Sequence, residues 1–289
     1  MAKGRELKGR IKSVENTRKI TRTMEMVATS KMKRAQDRVV AARPYANALA
    51  DVISSLYSSD LAERFPLLRQ PVVQARVALV LLTSNRGLAG GFNANLIKEA
   101  RARLAEFEAA GIQVDVHVIG KKGLGYFKYV GRTLASERID ITDRPTALNA
   151  AEIVESLMAD YIAGRLDGLY VTYCKFNSVL STPPATQQIL PVAPPQAREG
   201  SVQRDYLLFP NAEEILTELL PSYVRNVMYR ALVETVAGEQ SARRTAMKNA
   251  TDNAGDILNV LRRTYNRARQ AQITQEIAEI VGGASALQG

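Results

Sequence analysis

The sequence has few of the residues that build most metal and covalent active sites. Among 289 residues there is one histidine, His117, one cysteine, Cys174, and no tryptophan. Zinc sites usually combine several histidine and cysteine ligands, and a Ser-His-Asp arrangement would need His117 beside a GxSxG nucleophile elbow that the chain lacks. We therefore predict no catalytic residues, no metal site and no cofactor. His117 is expected to be a solvated or hydrogen-bonded strand residue, and Cys174 a buried thiol.

Long apolar runs are also missing. No segment approaches the roughly 18–20 uninterrupted apolar residues that a membrane-spanning helix needs. The first residues, MAKGRELKGRIKSVENT, carry positive charge but no apolar core, so we expect no secretory signal. A single cysteine excludes an internal disulfide and favours a reducing compartment.

Glycine and proline are scarce near the N-terminus, where Pro44 is the only proline before Pro66 and no glycine lies between Gly9 and Gly87. This predicts a helix of roughly 50 residues within segment 1–60. Apolar and small residues recur there at alternating steps of four and three, which is the heptad seam of a coiled coil. The predicted seam positions are Leu7, Ile11, Val14, Arg18, Thr21, Glu25, Ala28, Met32, Ala35, Val39, Ala42, Ala46, Leu49, Ile53 and Leu56.

Between Arg18 and Glu25 this seam turns polar. In the same segment Ile20, Met24 and Val27 keep helical spacing one position away. An apolar stripe in that register would not face the partner helix, so we expect it to face another surface.

Segment 211–289 predicts a second long helix of about 70 residues, starting near Asn211 and ending by Gly282. Two heptad helices at the ends of one chain indicate an antiparallel coiled coil, with the C-terminal tip protruding as a single rod. The predicted seam is Ala250, Ala254, Ile257, Leu261, Thr264, Ala268 and Ala271. Small residues, Gly238 among them, predict a close approach of two backbones upstream of this seam.

The middle of the chain, residues 72–208, alternates apolar runs with amphipathic stretches, which is typical of βαβ units and a mostly parallel sheet. The proline-rich segment STPPATQQILPVAPP cannot be a helix, and it fits an edge strand or an extended loop. The predicted fold class is therefore α/β, with a Rossmann-like domain inserted between the helices of a long antiparallel coiled coil.

Residues 84–95, SNRGLAGGFNAN, look most like a phosphate-binding loop because glycines follow an apolar run and precede a helix. The glycines fall at relative positions 0, 3 and 4, whereas a dinucleotide fingerprint needs 0, 2 and 5. No GxxxxGK[ST] sequence exists either. We therefore predict a structural turn at this position, referred to below as the glycine loop.

Positive charge is concentrated at the N-terminus. Residues 1–43 contain 13 Lys or Arg and four acidic residues, which accounts for +9 of the net charge of +10. This pattern fits a nucleic-acid-binding arm, a solvated helix face or an acidic protein partner equally well. No aromatic residue precedes Tyr45, so nucleic acid could be held only through phosphates. A basic coiled-coil nucleic-acid-binding protein is the alternative function.

Several long motifs in this sequence are specific. KITRTMEMVATSKM and ARPYANAL near the N-terminus, NRGLAGGFN in the glycine loop, and AMKNATDNA and YNRARQAQITQEIAEIVGGASA near the C-terminus occur in this order. They closely resemble the γ subunits of F-type ATP synthases, over the whole chain. The resemblance implies a non-catalytic central rotor shaft that couples rotation of the membrane c ring to conformational changes of the catalytic β subunits.

The resemblance also implies partners and a location. These are three α and three β subunits around one copy of this chain, the ε subunit and the c ring, with no nucleic acid and no membrane insertion. The place would be the cytoplasmic face of a bacterial inner membrane. The chain lacks the two-cysteine insert of the chloroplast members.

Matching motifs carry the family's contact residues onto this sequence. For the α/β ring they imply Lys19, Arg22, Met24, Arg243, Arg269, Gln270, Thr274, Ile277 and Ile280. For the c ring they imply Asp205 and Tyr206.

Overall fold

The computed structural model describes residues 2–56, 64–192 and 211–288. Asp205 and Tyr206 lie outside the described residues. The chain divides into two compact units, Met1–Ala28 with Arg244–Gly289, and Thr29–Arg243. They are called here the terminal unit and the central unit, and each is described by itself.

Helix α1, Ala2–Leu56, and the C-terminal helix, Ala212–Gln288, are the two longest elements. The seam predicted for α1 is confirmed, because its positions are the buried or half-buried ones in both units, with Arg18 as the exception. Ile20 and Val27 are exposed, and Met24 is half-buried. The polar seam residue Thr21 is nevertheless buried.

Within the terminal unit the two helices are antiparallel, as predicted. The Thr251 hydroxyl donates a hydrogen bond of 2.8 Å to the Thr21 hydroxyl. Arg262 pairs with Glu15 at 2.6 Å. Residue numbers increase along α1 while those of the contacting residues on the C-terminal helix decrease, so the two helices are antiparallel. The buried threonine hydroxyls bond to each other across the seam.

The predicted seam of the C-terminal helix is wrong at Ile257, Thr264 and Ala271, which are exposed, and right at Ala250, Ala254, Leu261 and Ala268. The next buried position after Ala254 is Leu258, whereas Ile257 is 51% exposed. From Met247 onward the buried and half-buried positions are Met247, Ala250, Thr251, Ala254, Gly255, Leu258, Leu261, Tyr265, Ala268 and Gln272. Residues 257 and 258 are both apolar, and so are residues 260 and 261. The sequence alone therefore could not show whether the seam runs through Ile257 or through Leu258.

The predicted end of this helix is also wrong, because it continues through Gly282 and Gly283 to Gln288. Glycine inside a helix costs only about 1 kcal/mol relative to alanine, and no proline follows to stop the helix. Its beginning at Ala212 agrees with the predicted start near Asn211, whose side chain accepts a 2.8 Å bond from the Glu214 amide.

The central unit is built on a five-stranded sheet of order β3-β2-β1-β4-β5. The strands are β1 Arg76–Leu82, β2 Gln113–Ile119, β3 Ser136–Arg138, β4 Gly168–Cys174 and β5 Pro184–Leu190. The first four are parallel, and β5 runs antiparallel beside β4. The proline-rich segment thus forms an edge strand, as predicted, and β3 is a short strand that the sequence analysis missed.

Three further helices cover the sheet: α2 Phe92–Ala109, α3 Lys121–Val130 and α4 Ala147–Ile162. The C-terminal helix is α5 in this order. Strand β1 is buried on both faces, as expected of a central parallel strand. Leu79 and Leu81 pack with α2 and α3, whereas Val80 and Leu82 pack with α4 and the central-unit parts of α1 and α5.

Candidate functional site

The glycine loop joins β1 to α2, and its polar side chains bind one another and a neighbouring loop. The Ser84 amide donates to Asn93 Oδ1 at 3.0 Å, and Asn93 Nδ2 donates to the Ser84 hydroxyl at 2.9 Å. Asn85 Nδ2 donates to the carbonyls of Ile139 and Ile141, at 3.0 and 2.9 Å. The Ser84–Asn93 bonds close the glycine loop, and the Asn85 bonds hold it to the neighbouring loop, which supports the predicted structural role.

The three glycines of this loop are not equivalent. Gly90 adopts φ +56°, in the left-handed region where glycine is favoured, whereas a Cβ at Gly87 or Gly91 would meet only ordinary contacts of 3.6 Å or more. Leu88 also has a positive φ, +63°, and its side chain is exposed. The backbone therefore favours glycine at one of the three positions.

Neither His117 nor Cys174 lies in a catalytic arrangement. His117 Nδ1 is hydrogen-bonded to the Ser136 hydroxyl at 2.6 Å, and burial lowers the pKa of its imidazole. Cys174 is buried at the end of β4, where burial raises the pKa of its thiol to about 12. Both predicted placements are confirmed. Among the described residues no three His, Cys, Asp or Glu side chains cluster as a metal site would require.

The raised pKa predicts that Cys174 is inert in the folded chain. At pH 8 we expect a disulfide reagent such as dithiobis-nitrobenzoate to label the native thiol at least about a hundredfold more slowly than the unfolded thiol, since only the thiolate reacts. The absorbance of released thionitrobenzoate measures both rates, with and without guanidinium. Equal rates would contradict this placement of the side chain.

Arg243 lies inside the chain rather than on its surface. Its side chain is 10% exposed, and its guanidinium binds Glu239 at 2.6 Å and donates to the Gly87 carbonyl at 3.2 Å. Burial raises the pKa of the Glu239 carboxyl, and Arg243 opposes that shift. The structure thus gives Arg243 an internal role, which is to fix α5 to the glycine loop. Its predicted contact with a ring subunit stays a prediction.

The other predicted contact residues fall into two groups on the terminal unit. Lys19 and Arg22 are exposed and Met24 is half-buried, close to the level of the Thr21–Thr251 bond. The second group is exposed: Arg269, Gln270, Thr274, Ile277 and Ile280. This second group begins at Arg269, about 27 Å along α5 from Thr251 at 1.5 Å per residue, so the structure does not bring the two groups together.

The last turns of α5 expose an apolar face. Ile277 is 56% and Ile280 71% exposed, and Ile273 and Val281 extend the same face at helical spacing. Every described side chain from 273 to 282 is exposed. Ile257 and Val260 form a second exposed apolar pair on α5. The sequence analysis missed this pair because it assigned Ile257 to the seam.

Comparison with known proteins identifies the family. A family model described as ATP synthase matches residues 3–287. The chain is 68% identical, over the full length of both proteins, to the ATP synthase gamma chain of Gemmatimonas aurantiaca. It is also 41% identical, over 99% of its length and all of the relative's, to the ATP synthase gamma chain of Janthinobacterium sp..

This chain belongs to the ATP synthase gamma chain family. The predicted resemblance is thereby confirmed, and the nucleic-acid alternative finds no support among these relatives.

Solved structures agree with the gamma chain fold. The rotor of Euglena gracilis mitochondrial ATP synthase matches with a TM-score of 0.67 at 20% identity, over 94% of this chain and 99% of that one. The central stalk and c ring of Tetrahymena thermophila mitochondrial ATP synthase match with a TM-score of 0.61 at 24% identity, over 80% and 99%. The predicted fold class, an α/β domain inserted in a helical pair, is confirmed. No helix in the described ranges is long and apolar enough to cross a bilayer.

Proposed function

We propose that this chain is the central rotor subunit of an F-type ATP synthase and that it catalyses no reaction itself. One copy would turn inside three α and three β subunits, with the ε subunit and the c ring at its foot, at the cytoplasmic face of a bacterial inner membrane. Rotation would present different faces of the shaft to each β subunit in turn and shift that subunit's conformational equilibrium.

The observation that best supports this proposal is the exposed apolar face formed by Ile273, Ile277, Ile280 and Val281 on α5. Large apolar side chains gathered on one face of a helix are typical of a surface that a partner covers. A sleeve formed by a ring of other subunits would bury them. The exposed Arg269 and Gln270 precede this face, Thr274 follows its first residue, and all three are suited to hydrogen bonding with such a ring.

Reconstitution with α and β subunits tests the proposal directly. We expect a complex with one copy of this chain per three β subunits, rapid ATP hydrolysis by the complex, and no ATP turnover by the chain alone. The measurements are the subunit mass ratio and steady-state phosphate release. ATP turnover by the purified chain, or failure to join the complex, would refute the proposal.

Met24→Lys is expected to weaken coupling in the reconstituted enzyme. Met24 is half-buried and follows the exposed Lys19 and Arg22 in the same motif, which by the family resemblance meets acidic segments of the β subunits, so an added cation there would change the electrostatic attraction to them. The number of protons pumped per ATP should fall, measured in vesicles as the pH gradient against hydrolysis rate.

A matched control is Met26→Lys, which adds the same charge at a 60% exposed position on another face of α1. It should reduce the pumping ratio less than Met24→Lys does. An unchanged ratio in Met24→Lys would remove Met24 from the set of contact residues.

A further inference from the structure

A cavity in the central unit has properties that the rotor role does not explain. Its volume is about 440 Å³, and it lies at the carboxyl ends of β1 and β2, beside the glycine loop. In α/β folds this edge of the sheet is where ligands bind. The volume is within the range of small-molecule sites, about 300–1,000 Å³.

Six cationic side chains from four separate segments surround this cavity. They are Lys31, Arg34 and Arg38 of α1, Arg86 of the glycine loop, Lys121 at the start of α3, and Arg144 before α4. Two acidic residues, Asp143 and Glu239, also line it.

Both acidic residues are already neutralised within the chain. Lys31 forms an ion pair with Asp143, and Arg38 donates to the Asp143 carbonyl at 3.4 Å. Glu239 pairs with Arg243. Lys31 and Arg38, two of the six cavity cations, are therefore engaged within the chain, as are both carboxylates.

The other four cations, Arg34, Arg86, Lys121 and Arg144, form no ion pair with any residue in the described parts of the chain. Four like charges around one concavity repel one another and create a positive potential inside it. Because they come from different segments, one compact anion of several negative charges can contact more than one of them at once.

We propose that this cavity binds a compact phosphate-bearing anion. The phosphate chain could come from an inorganic polyphosphate or from a nucleotide, since the contacts are the same. Apolar side chains complete the lining, and among them the 47% exposed Ile139 and the half-buried Ile141 offer a surface to a nucleotide base. A compact anion fits better than an acidic polypeptide, because the cations surround a small volume rather than line an extended track.

The site differs from a classical phosphate loop. Its charge comes from side chains, and the Asn85 side-chain amide of the glycine loop is engaged elsewhere, on the carbonyls of Ile139 and Ile141. The glycine spacing is therefore irrelevant to this binding, and no motif search would find the site.

Calorimetric titration of the full chain tests the proposal, with tripolyphosphate, ADP and adenosine as separate ligands. We expect saturable binding of one tripolyphosphate per chain and no comparable binding of adenosine. Similar affinities for tripolyphosphate and ADP would indicate an inorganic source, and tighter binding of ADP would indicate a nucleotide. Either result supports the site.

The decisive variant is Arg34→Gln with Lys121→Gln, because both side chains are exposed and break no internal ion pair. Its affinity for tripolyphosphate should fall about tenfold or more, as expected for the loss of charge-assisted hydrogen bonds. The matched control is Lys98→Gln with Lys175→Gln, two exposed cations outside this cavity. Circular dichroism checks that all variants are folded.

Three results would overturn the proposal. One is the absence of saturable binding, and the second is an equal loss of affinity in the control variant, which would mean general attraction to a basic chain. The third is saturable binding of an acidic peptide, such as polyglutamate, that tripolyphosphate does not compete with. That would make the cavity part of a protein interface.

Discussion

Gly120→Ala is expected to destabilise the central unit by about 3–5 kcal/mol, because two independent penalties coincide at this position. Gly120 adopts φ +102° and ψ 140°, a conformation essentially reserved for glycine. A Cβ there would lie 2.1 Å from the Thr83 carbonyl oxygen.

The surrounding backbone has no room to move away from that methyl group. The Thr83 amide donates to the Ile119 carbonyl at 2.8 Å, and the Gly120 amide donates to the Arg138 carbonyl at 2.8 Å. Relief of the clash would break one of these bonds between the ends of neighbouring strands. The midpoint of denaturant unfolding, followed by circular dichroism, measures the loss.

The control for this substitution is Gly125→Ala on the adjoining helix α3, where an added Cβ meets nothing within 4 Å. Alanine should stabilise that helix position by about 0.5–1 kcal/mol. Equal unfolding midpoints for Gly120→Ala and the unchanged chain would show that the turn after β2 is not as described.

Gly238→Ala is expected to cost about 3 kcal/mol through overpacking. The added Cβ would lie 2.2 Å from Cys174 Sγ and 3.1 Å from Cys174 Cβ. Helix α5 has no freedom to retreat, because the Cys174 amide donates to the Thr235 hydroxyl at 3.3 Å and the Phe176 amide donates to Glu234 at 3.0 Å.

A double-mutant cycle isolates this contact. In Gly238→Ala with Cys174→Ala the sulfur is gone, so the combined loss of stability should be smaller than the sum of the two single losses by at least about 1 kcal/mol. Gly255→Ala is the control, since its Cβ would meet only Arg18, at 3.8 Å, and it should stabilise the helix slightly. Simple additivity would contradict the close approach of α5 to β4.

The sequence predicts those parts of the fold that depend on periodicity. The seam of α1 is read correctly because polar or charged residues flank Leu7, Ile11, Val14, Met32 and Ala35 on both sides, and these positions set the register. The seam of α5 is misread at Ile257 because Leu258 is equally apolar, and only the packing against α1 decides which of the two is buried. Helix α3, with two glycines in ten residues, has too low a helix propensity to be predicted.

Contacts between distant segments are the part that sequence cannot supply. Small residues in α5 correctly predict a close approach, but Gly238 meets Cys174 of β4 rather than a residue of the other long helix. Arg243 carries a surface-like sequence signature and is buried against Glu239. The cationic cavity gathers residues more than 100 positions apart, and no local pattern signals it.

The Thr21–Thr251 hydrogen bond favours one axial register between the two long helices of the terminal unit. A heptad seam alone permits one helix to slide past the other by seven residues, about 10.5 Å, and still match apolar to apolar. Such a slide would set Thr21 beside Leu258 and Thr251 beside Ala28, burying two hydroxyls without each other. This polar layer therefore favours one axial register of the two helices, and the Arg262–Glu15 ion pair is consistent with the same register.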